Sequence, residues 1–428
     1  MTNKINSVLA EVLGKIVPEK EEIFEIERKL KEFLSDFRKK IKKKKIDAEV
    51  FVGGSFAKNT IIKKEYYDID VFLRFDKKYA NKDISGITKK ILSRTKKVQE
   101  IHGSRNYFRV KISQSFFIEI VPVLKISNPK EAENITDLSY FHVKYVNKKT
   151  KNKKIFDEIR LAKAFCHANN VYGAESYISG FSGYGLELLI YHYKTFINFI
   201  RNMEKIKENE KLVIDIERHY KNKKDILLDI NSAKLLSPII FVDPTYKHRN
   251  ALSALSAETF GRFKEACKEF LKNPSVKAFE IKKINLEGIK QKAKKNKNEL
   301  IILKAATDKQ EGDIAGSKLV KFCRHLRNEI EKFFDVKDSG FEYSGKKTAI
   351  YYFEVRKKPE IIINGPRLKD KENATRFKRN HKSTFSKKER IYAREKINLS
   401  IKDFLNKWEQ QRKKIISDMS IKELRVIG

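Results

Sequence analysis

At 428 residues with 40% apolar content, the chain can bury a substantial core and form two to four domains, which argues against disorder. Its 94 Lys and Arg against 56 Asp and Glu leave a formal charge of +38, spread over nearly every segment, and an excess of that size points to a polyanionic partner, nucleic acid foremost. Solvated Lys-rich faces without function are the plain alternative. The three cysteines, Cys166, Cys267 and Cys323, are far apart, odd in number and without zinc spacing, so they read as buried thiols in a reducing cytosol. No signal-type segment opens the chain and no apolar run spans a bilayer, which predicts a soluble cytoplasmic protein with no membrane partner.

From Glu19 to about Lys44, Ile23, Ile26, Leu30, Phe33 and Phe37 recur at three- and four-residue steps, predicting an amphipathic helix that backs a sheet. Four runs rich in β-branched and aromatic residues follow and read as strands: AEVFVGGSF, YDIDVFLRF, YFRVKI and FFIEIVPVLKI. From about Asp157 to Phe270 the pattern turns helical, with DEIRLAKAFCHANNVYG and GLELLIYHYKTFINFI as long segments around the turn SGFSGYG. Beyond Pro274 the runs KAFEIKKI, ELIILKAA, FEYSGKKTAIYYFEV and EIIING read as strands, interrupted by a helix at GSKLVKFCRHLRNEIEKFF, and predict a second α+β unit. Arg376 to Arg394 carries eight Lys or Arg and one acid, interleaved with Phe377, Phe385 and Tyr392, a composition suited to RNA. Those aromatics are equally suited to a small local core. A last helix places Ile397, Ile401, Phe404, Leu405 and Trp408 on one side.

Chemistry concentrates at Gly53-Gly54-Ser55, with Ser55 thirteen residues ahead of Asp68-Ile69-Asp70. Side chains at i and i+2 of a strand share a face, so Asp68 and Asp70 point together and repel unless a cation joins them. Magnesium meets that requirement, because it takes oxygen ligands and bridges carboxylates to phosphates. The glycines let the backbone approach a triphosphate, with the Ser55 hydroxyl and Lys58 nearby. A lone D-x-D more often marks a strand end; the preceding Gly-Gly-Ser and a third acid, Glu119 in QSFFIEIVPV, raise its specificity. Amid Phe117 and Val121, an ionised Glu119 is costly without a cation or hydrogen-bond partner, unless it reaches water at an edge. Three such carboxylates suit two metal ions about 4 Å apart and phosphoryl transfer.

These residues are similar to the signature of the polymerase-β nucleotidyltransferase superfamily. The blocks DEIRLAKAFCHANNVYGAESYISGFSGYGLELLIYHY and FVDPTYKHRNALSALS, with a Gly-Pro segment leading into a basic tail, resemble the class I, archaeal-type CCA-adding enzymes along most of the chain. The resemblance implies an α+β fold with a nucleotidyltransferase head (1–140), a helical neck (141–275), an α+β body (276–365) and a basic tail binding tRNA (366–428). It implies catalytic, metal-holding Asp68, Asp70 and Glu119, with Mg2+ as cofactor. Gly54, Ser55, Lys58, His142, Lys163, Tyr172, Ser182, Arg249 and Asn250 would bind the nucleotide. Taken alone, a helical Lys is usually solvated, a lone His usually structural, and Asp243-Pro244 reads as a turn or helix start.

The implied activity is addition of CCA to the 3′ end of tRNA from CTP and ATP, with a homodimer among the expected partners. Another RNA-terminal polymerase, adding A or U, or an inactive tRNA-binding relative are the alternatives. Against the family pattern, Glu119 stands where Asp is expected and Lys58 where Arg is; Leu138-Ser139 replaces an Arg-Thr pair, and the residues around Asn106 lack a His.

Overall fold

Two amphipathic helices, α1 (Thr2–Ile16) and α2 (Lys20–Lys43), come first, separated by Pro18, whose ring cannot continue a helix. The computed structural model describes residues 2–103, 105–150, 152–207, 210–281, 284–396 and 399–428. Its contacts group into two units, Met1–Lys282 and Lys283–Gly428. At the start of α2 the Glu22 carboxylate accepts the Glu19 N–H at 3.0 Å, satisfying a helix-end donor. Ile26, Leu30, Leu34, Phe37 and Ile41 form its buried stripe, and they pack on a sheet, as their spacing predicts.

That sheet contains β1 (Ala48–Val52), β2 (Tyr67–Phe75), β3 (Val98–Ile101), β4 (Tyr107–Lys111) and β5 (Phe116–Leu124) in the order β1-β2-β5-β4-β3. A single helical turn, α3 (Gly54–Ala57), follows β1, and α4 (Ile84–Leu92) precedes β3. Only β2 and β5 run parallel; the other neighbours are antiparallel. Ile69, Val71, Ile118 and Ile120 point to the α2 side and are completely buried. Their intervening partners occupy the opposite face, where the register sets Asp68 against Phe117 and Asp70 against Glu119. Strand β3 lies outside the four runs the composition singled out, because VQEI is short and lacks an aromatic residue.

The rest of this unit is α5 (Ser139–Lys149), α6 (Lys153–Ala168), α7 (Gly183–Tyr193), α8 (Phe196–Lys205), β6 (Leu212–Ile214), α9 (Lys223–Asp229), β7 (Ile239–Asp243), β8 (Tyr246–Asn250) and α10 (Ala257–Lys272). Two expectations need correction. GLELLIYHYKTFINFI is two helices: Lys194 adopts φ 69°, and Thr195 Oγ1 caps α8 by accepting the Asn198 N–H at 3.1 Å. The helical layer also holds a small sheet in the order β6-β7-β8, because the buried run IIFV is too short and too β-branched for a helix. Phe165, Phe196, Phe270 and Phe279 pack with ring centroids 5.3 to 6.0 Å apart, so truncating one would cost about 3–5 kcal/mol. Of KAFEIKKI, expected as a strand, the first three residues instead lie in a 3-10 turn over Val276–Phe279 that delivers Phe279 to this cluster, and Lys282 and Lys283 lie outside the described residues.

The second unit begins with α11 (Leu286–Lys295), β9 (Glu299–Ala306), α12 (Asp313–Glu331), β10 (Phe334–Tyr343) and β11 (Thr348–Lys357). It continues with β12 (Ile361–Arg367), α13 (Lys371–Asn380), β13 (Thr384–Lys387), β14 (Arg390–Glu395), α14 (Ile401–Gln411), α15 (Lys413–Asp418) and β15 (Glu423–Val426). An antiparallel sheet β10-β11-β9-β15 is covered by α12 and by α14, which buries Ile401, Phe404, Leu405 and Trp408; Ile397 lies outside the described residues. A second sheet, β12-β14-β13, carries the basic segment. There Phe377 packs where a side chain on Gly365 would meet it at 2.8 Å, while Phe385 and Tyr392 stack as a cross-strand pair at 5.4 Å. Among the described residues no helix is long and apolar enough to cross a membrane, and the three cysteines are buried free thiols.

Candidate active site

Asp68 and Asp70 project from the same face of β2, and Glu119 projects beside Asp70 from the parallel neighbour β5. The Gly53 N–H donates to the Asp70 carbonyl at 2.8 Å, which ties the turn after β1 to β2. Gly54 then adopts φ +64°, and a Cβ there would lie 1.7 Å from Asp70 Oδ2. Glycine is therefore required for both conformation and space. Ser55, the second residue of the turn α3, is half-buried, its carbonyl accepting the Thr60 N–H at 2.9 Å.

The carboxylates are electrostatically strained. Burial pushes the Asp70 carboxyl up to about 6, with Lys58 opposing and Asp68 adding repulsion. Burial and then the Asp70 charge push Glu119 up to about 7, against the attraction of Arg109. Asp68 is also raised by burial, and its Oδ1 is buried with no hydrogen-bond partner. Oxygen donors that repel one another, one of them unpartnered, fit a hard divalent cation. Among the described residues no three His, Cys, Asp or Glu side chains close around one point, and Glu119 Oε1 accepts from Arg109 Nε at 2.9 Å and Nη2 at 2.6 Å.

Next to the carboxylates lies a buried cationic pair. Lys58 Nζ is 2.5 Å from Glu187 Oε2, and Lys163 Nζ is 2.9 Å from Glu187 Oε1. Thr60 links them, its hydroxyl accepting from Lys163 at 2.7 Å and donating to Glu187 at 3.1 Å. Burial lowers Lys163 to about 8, while at Glu187 burial is outweighed by the two lysines, which hold it at about 2. Two cations share one anion, leaving a net positive charge beside Asp70. The Tyr172 ring packs at a tilt against His167, centroids 4.1 Å apart, and burial raises its hydroxyl pKa.

A second hub is Asp243, at the end of β7. Its Oδ2 meets His142 Nε2 at 3.1 Å and Arg249 Nη1 at 2.6 Å; its Oδ1 accepts from Tyr184 OH at 3.1 Å and from the Thr245 N–H and hydroxyl at 2.8 Å each. His142 stacks on Tyr184 at 3.9 Å, and burial lowers its pKa against the pull of the Asp243 carboxylate. Burial would raise Asp243, but these partners hold it well below the usual carboxylate range. Asp243-Pro244 is thus the turn of the β7–β8 hairpin.

Two of the residues the resemblance implicates are already occupied. Ser182 Oγ caps α7 by accepting the Gly185 N–H at 3.1 Å and donates to the Ala251 carbonyl at 3.1 Å. Asn250 uses its whole amide on backbone, accepting from Phe241 and Leu252 and donating to Lys234 and Ile239. Glu187, Thr60, Tyr184 and Arg109 escaped the sequence reading. Glu187 had a signal: an acid amid Leu186, Leu188, Leu189 and Ile190 in α7.

Comparison with known proteins agrees with this frame. Residues 157–280 match the tRNA nucleotidyltransferase second domain, and residues 3–153 match the Second Messenger Oligonucleotide or Dinucleotide Synthetase domain. A solved cytoplasmic RNA terminal U-transferase aligns over 66% of this chain and 100% of its own with a TM-score of 0.51 at 14% identity. The Cid1 poly(U) polymerase aligns over 64% and 98% with a TM-score of 0.50 at 14% identity. At that identity the likeness is one of fold, and the fold is that of the polymerase-β-like nucleotidyltransferases.

The chain is 30% identical to the CCA-adding enzyme of Methanocaldococcus jannaschii over 91% of this chain and 87% of that protein. It is 35% identical to the CCA-adding enzyme of Nanoarchaeum equitans over 66% and 67%. It belongs to the CCA-adding enzyme family and is a nucleotidyltransferase, a class generally dependent on divalent metal.

Proposed function

We propose that this chain adds cytidine, cytidine and adenosine to the 3′ end of tRNA from CTP and ATP, and that Mg2+ held by Asp68, Asp70 and Glu119 serves the reaction. The observation that carries the reading is the unpartnered, buried Asp68 Oδ1 beside Asp70, on the face where Glu119 also projects. When bound, magnesium would neutralise phosphate charge and favour ionisation of the attacking hydroxyl. The RNA 3′-hydroxyl then attacks the α-phosphate, a new P–O bond forms, and pyrophosphate leaves.

This chain's own residues supply position and charge. The turn at Gly53-Gly54-Ser55 has no side chain over Asp70 at Gly54, so phosphates can approach the backbone closely. Lys58 and Lys163, held on Glu187, present positive charge to the triphosphate, and Tyr172, whose hydroxyl feels the Glu187 charge, serves as a hydrogen-bond donor. Arg249 and His142, locked by Asp243, form the wall for the base. In this reading Ser182 and Asn250 shape the pocket from behind, since their polar atoms are engaged with backbone.

The exposed Arg376, Lys378, Arg379, Lys382, Lys387 and Arg390 of the second unit supply phosphate contacts for the acceptor arm. The head, neck, body and tail boundaries at 140, 275 and 365 belong to the same proposal, as does a homodimer, which light scattering on the eluting protein would read. The deciding experiment is incubation with tRNA ending at the discriminator base, Mg2+ and each nucleotide separately and together, followed by sequencing of the 3′ ends. A fixed CCA product is expected; a homopolymer of A or U, or no extension, would overturn the reading.

A further inference from the structure

Arg109 stands among the carboxylates without an assigned role. The antiparallel register of β4 and β5 places it directly opposite Glu119, so the backbone itself, and not a flexible loop, brings the two together. Both Nε and Nη2 donate to a single oxygen, Glu119 Oε1, at 2.9 and 2.6 Å. The same Nε lies 3.9 Å from Asp68 Oδ1, the oxygen that has no hydrogen-bond partner. The guanidinium therefore lies between the first and third carboxylates, in the region a divalent cation would occupy to draw both together.

We propose that Arg109 is a tethered cation that competes with the divalent ion for Glu119, and that it sets how much metal this chain requires. The inference rests on the reading of Asp68 and Asp70 as cation ligands. A delocalised guanidinium is a weaker partner for two carboxylates than a dication, and it is covalently attached, so its local concentration never falls. Low metal leaves Glu119 on Arg109 with its charge compensated. Higher metal transfers Glu119 to the ion, and the arginine, about a third exposed, turns to solvent or to a phosphate. Arg109 is a positioning residue here, acting through Glu119.

The test is Mn2+ binding by electron paramagnetic resonance, with neither nucleotide nor RNA present, on wild type and on variants whose folding is checked by circular dichroism. Arg109→Met should bind Mn2+ about tenfold more tightly, the equivalent of removing one charge-assisted competitor. Unchanged or weaker binding would overturn the proposal, weaker binding making Arg109 an orienting support for Glu119. In the Arg109→Met/Glu119→Gln pair the gain should vanish relative to Glu119→Gln alone. A gain that persists would mean a through-space charge effect and would also overturn it. If Arg109→Met does not fold, Arg109→Lys, which keeps the charge and loses the fork, should show a smaller gain in the same direction. Asp70→Asn separates the two levels: a wild type with no Asp70-dependent Mn2+ site defeats the parent reading, whereas an intact site indifferent to Arg109 defeats only this inference.

Discussion

The Cα of Gly54 lies directly against the carboxylate of Asp70, so close that a methyl group on it would come within 1.7 Å of Oδ2. The turn after β1 and the acidic strand β2 are consequently a single fitted piece. Gly54→Ala has two costs: a left-handed φ of +64° for a side-chain-bearing residue, and displacement of the Asp70 carboxylate. A stability loss of about 1–3 kcal/mol is expected, together with loss of nucleotide transfer well beyond that from reduced folded fraction. Transfer per folded molecule, taken from a urea melt and a transfer assay on one preparation, checks it; wild-type turnover in the folded fraction would contradict the role given to this turn.

Asp70→Asn separates chemistry from folding. Burial pushes the Asp70 carboxyl up to about 6, so its charge at neutral pH is a burden on the isolated chain. Replacing it with a neutral isostere should leave the melting temperature in EDTA unchanged or higher at pH 8, while reducing transfer at least about a hundredfold. A variant that melts far lower, or keeps substantial magnesium-dependent transfer, would remove Asp70 from the reacting centre.

Glu187 is the shared anion of Lys58 and Lys163, and each of the three is nearly inaccessible to solvent. Glu187→Gln leaves two buried ammonium groups with too little negative charge, and a loss of about 3 kcal/mol is expected. Adding Lys163→Met removes one of those charges. The double variant should recover part of the stability, yet bind nucleotide more weakly than wild type if Lys163 contacts the triphosphate as proposed. Chemical denaturation and equilibrium binding of ATP give the two readouts; recovery of both together would make the cluster purely structural.

How much of this was legible in the residues depends on the range of the interaction. Asp68 and Asp70 share a face because of strand periodicity, which two positions suffice to reveal, and Ile69 and Val71 are buried behind them. The amphipathic stripe of α2 was readable for the same reason. The hubs were not. Glu187 meets Lys58 across 129 residues and His142 meets Asp243 across 101, and no local pattern encodes such separations. Each nevertheless leaves one trace, an acid embedded in or ending an apolar run, which desolvation makes expensive without a partner. The strand pair β7–β8 was hidden for a different reason: IIFVD is a short buried run that periodicity cannot assign.

Protons and the divalent cation should compete for the same oxygens. In unfolded chains Asp and Glu titrate near about 3.9 and 4.3, whereas in the fold burial raises Asp70 to about 6 and Glu119 to about 7. Between those limits the folded state binds more protons than the unfolded one, so stability from this site falls as pH rises from about 4 to 7 and is level above. Because the two acids repel each other, they should titrate as a pair. In EDTA, the melting temperature of wild type relative to an Asp70→Asn/Glu119→Gln variant should decline across that window, and saturating Mg2+ should shrink the decline by replacing the protons. The apparent affinity for Mn2+ should climb over the same interval and level off above about pH 7. An affinity independent of pH from 5 to 8 would mean that these carboxylates are not the ligands.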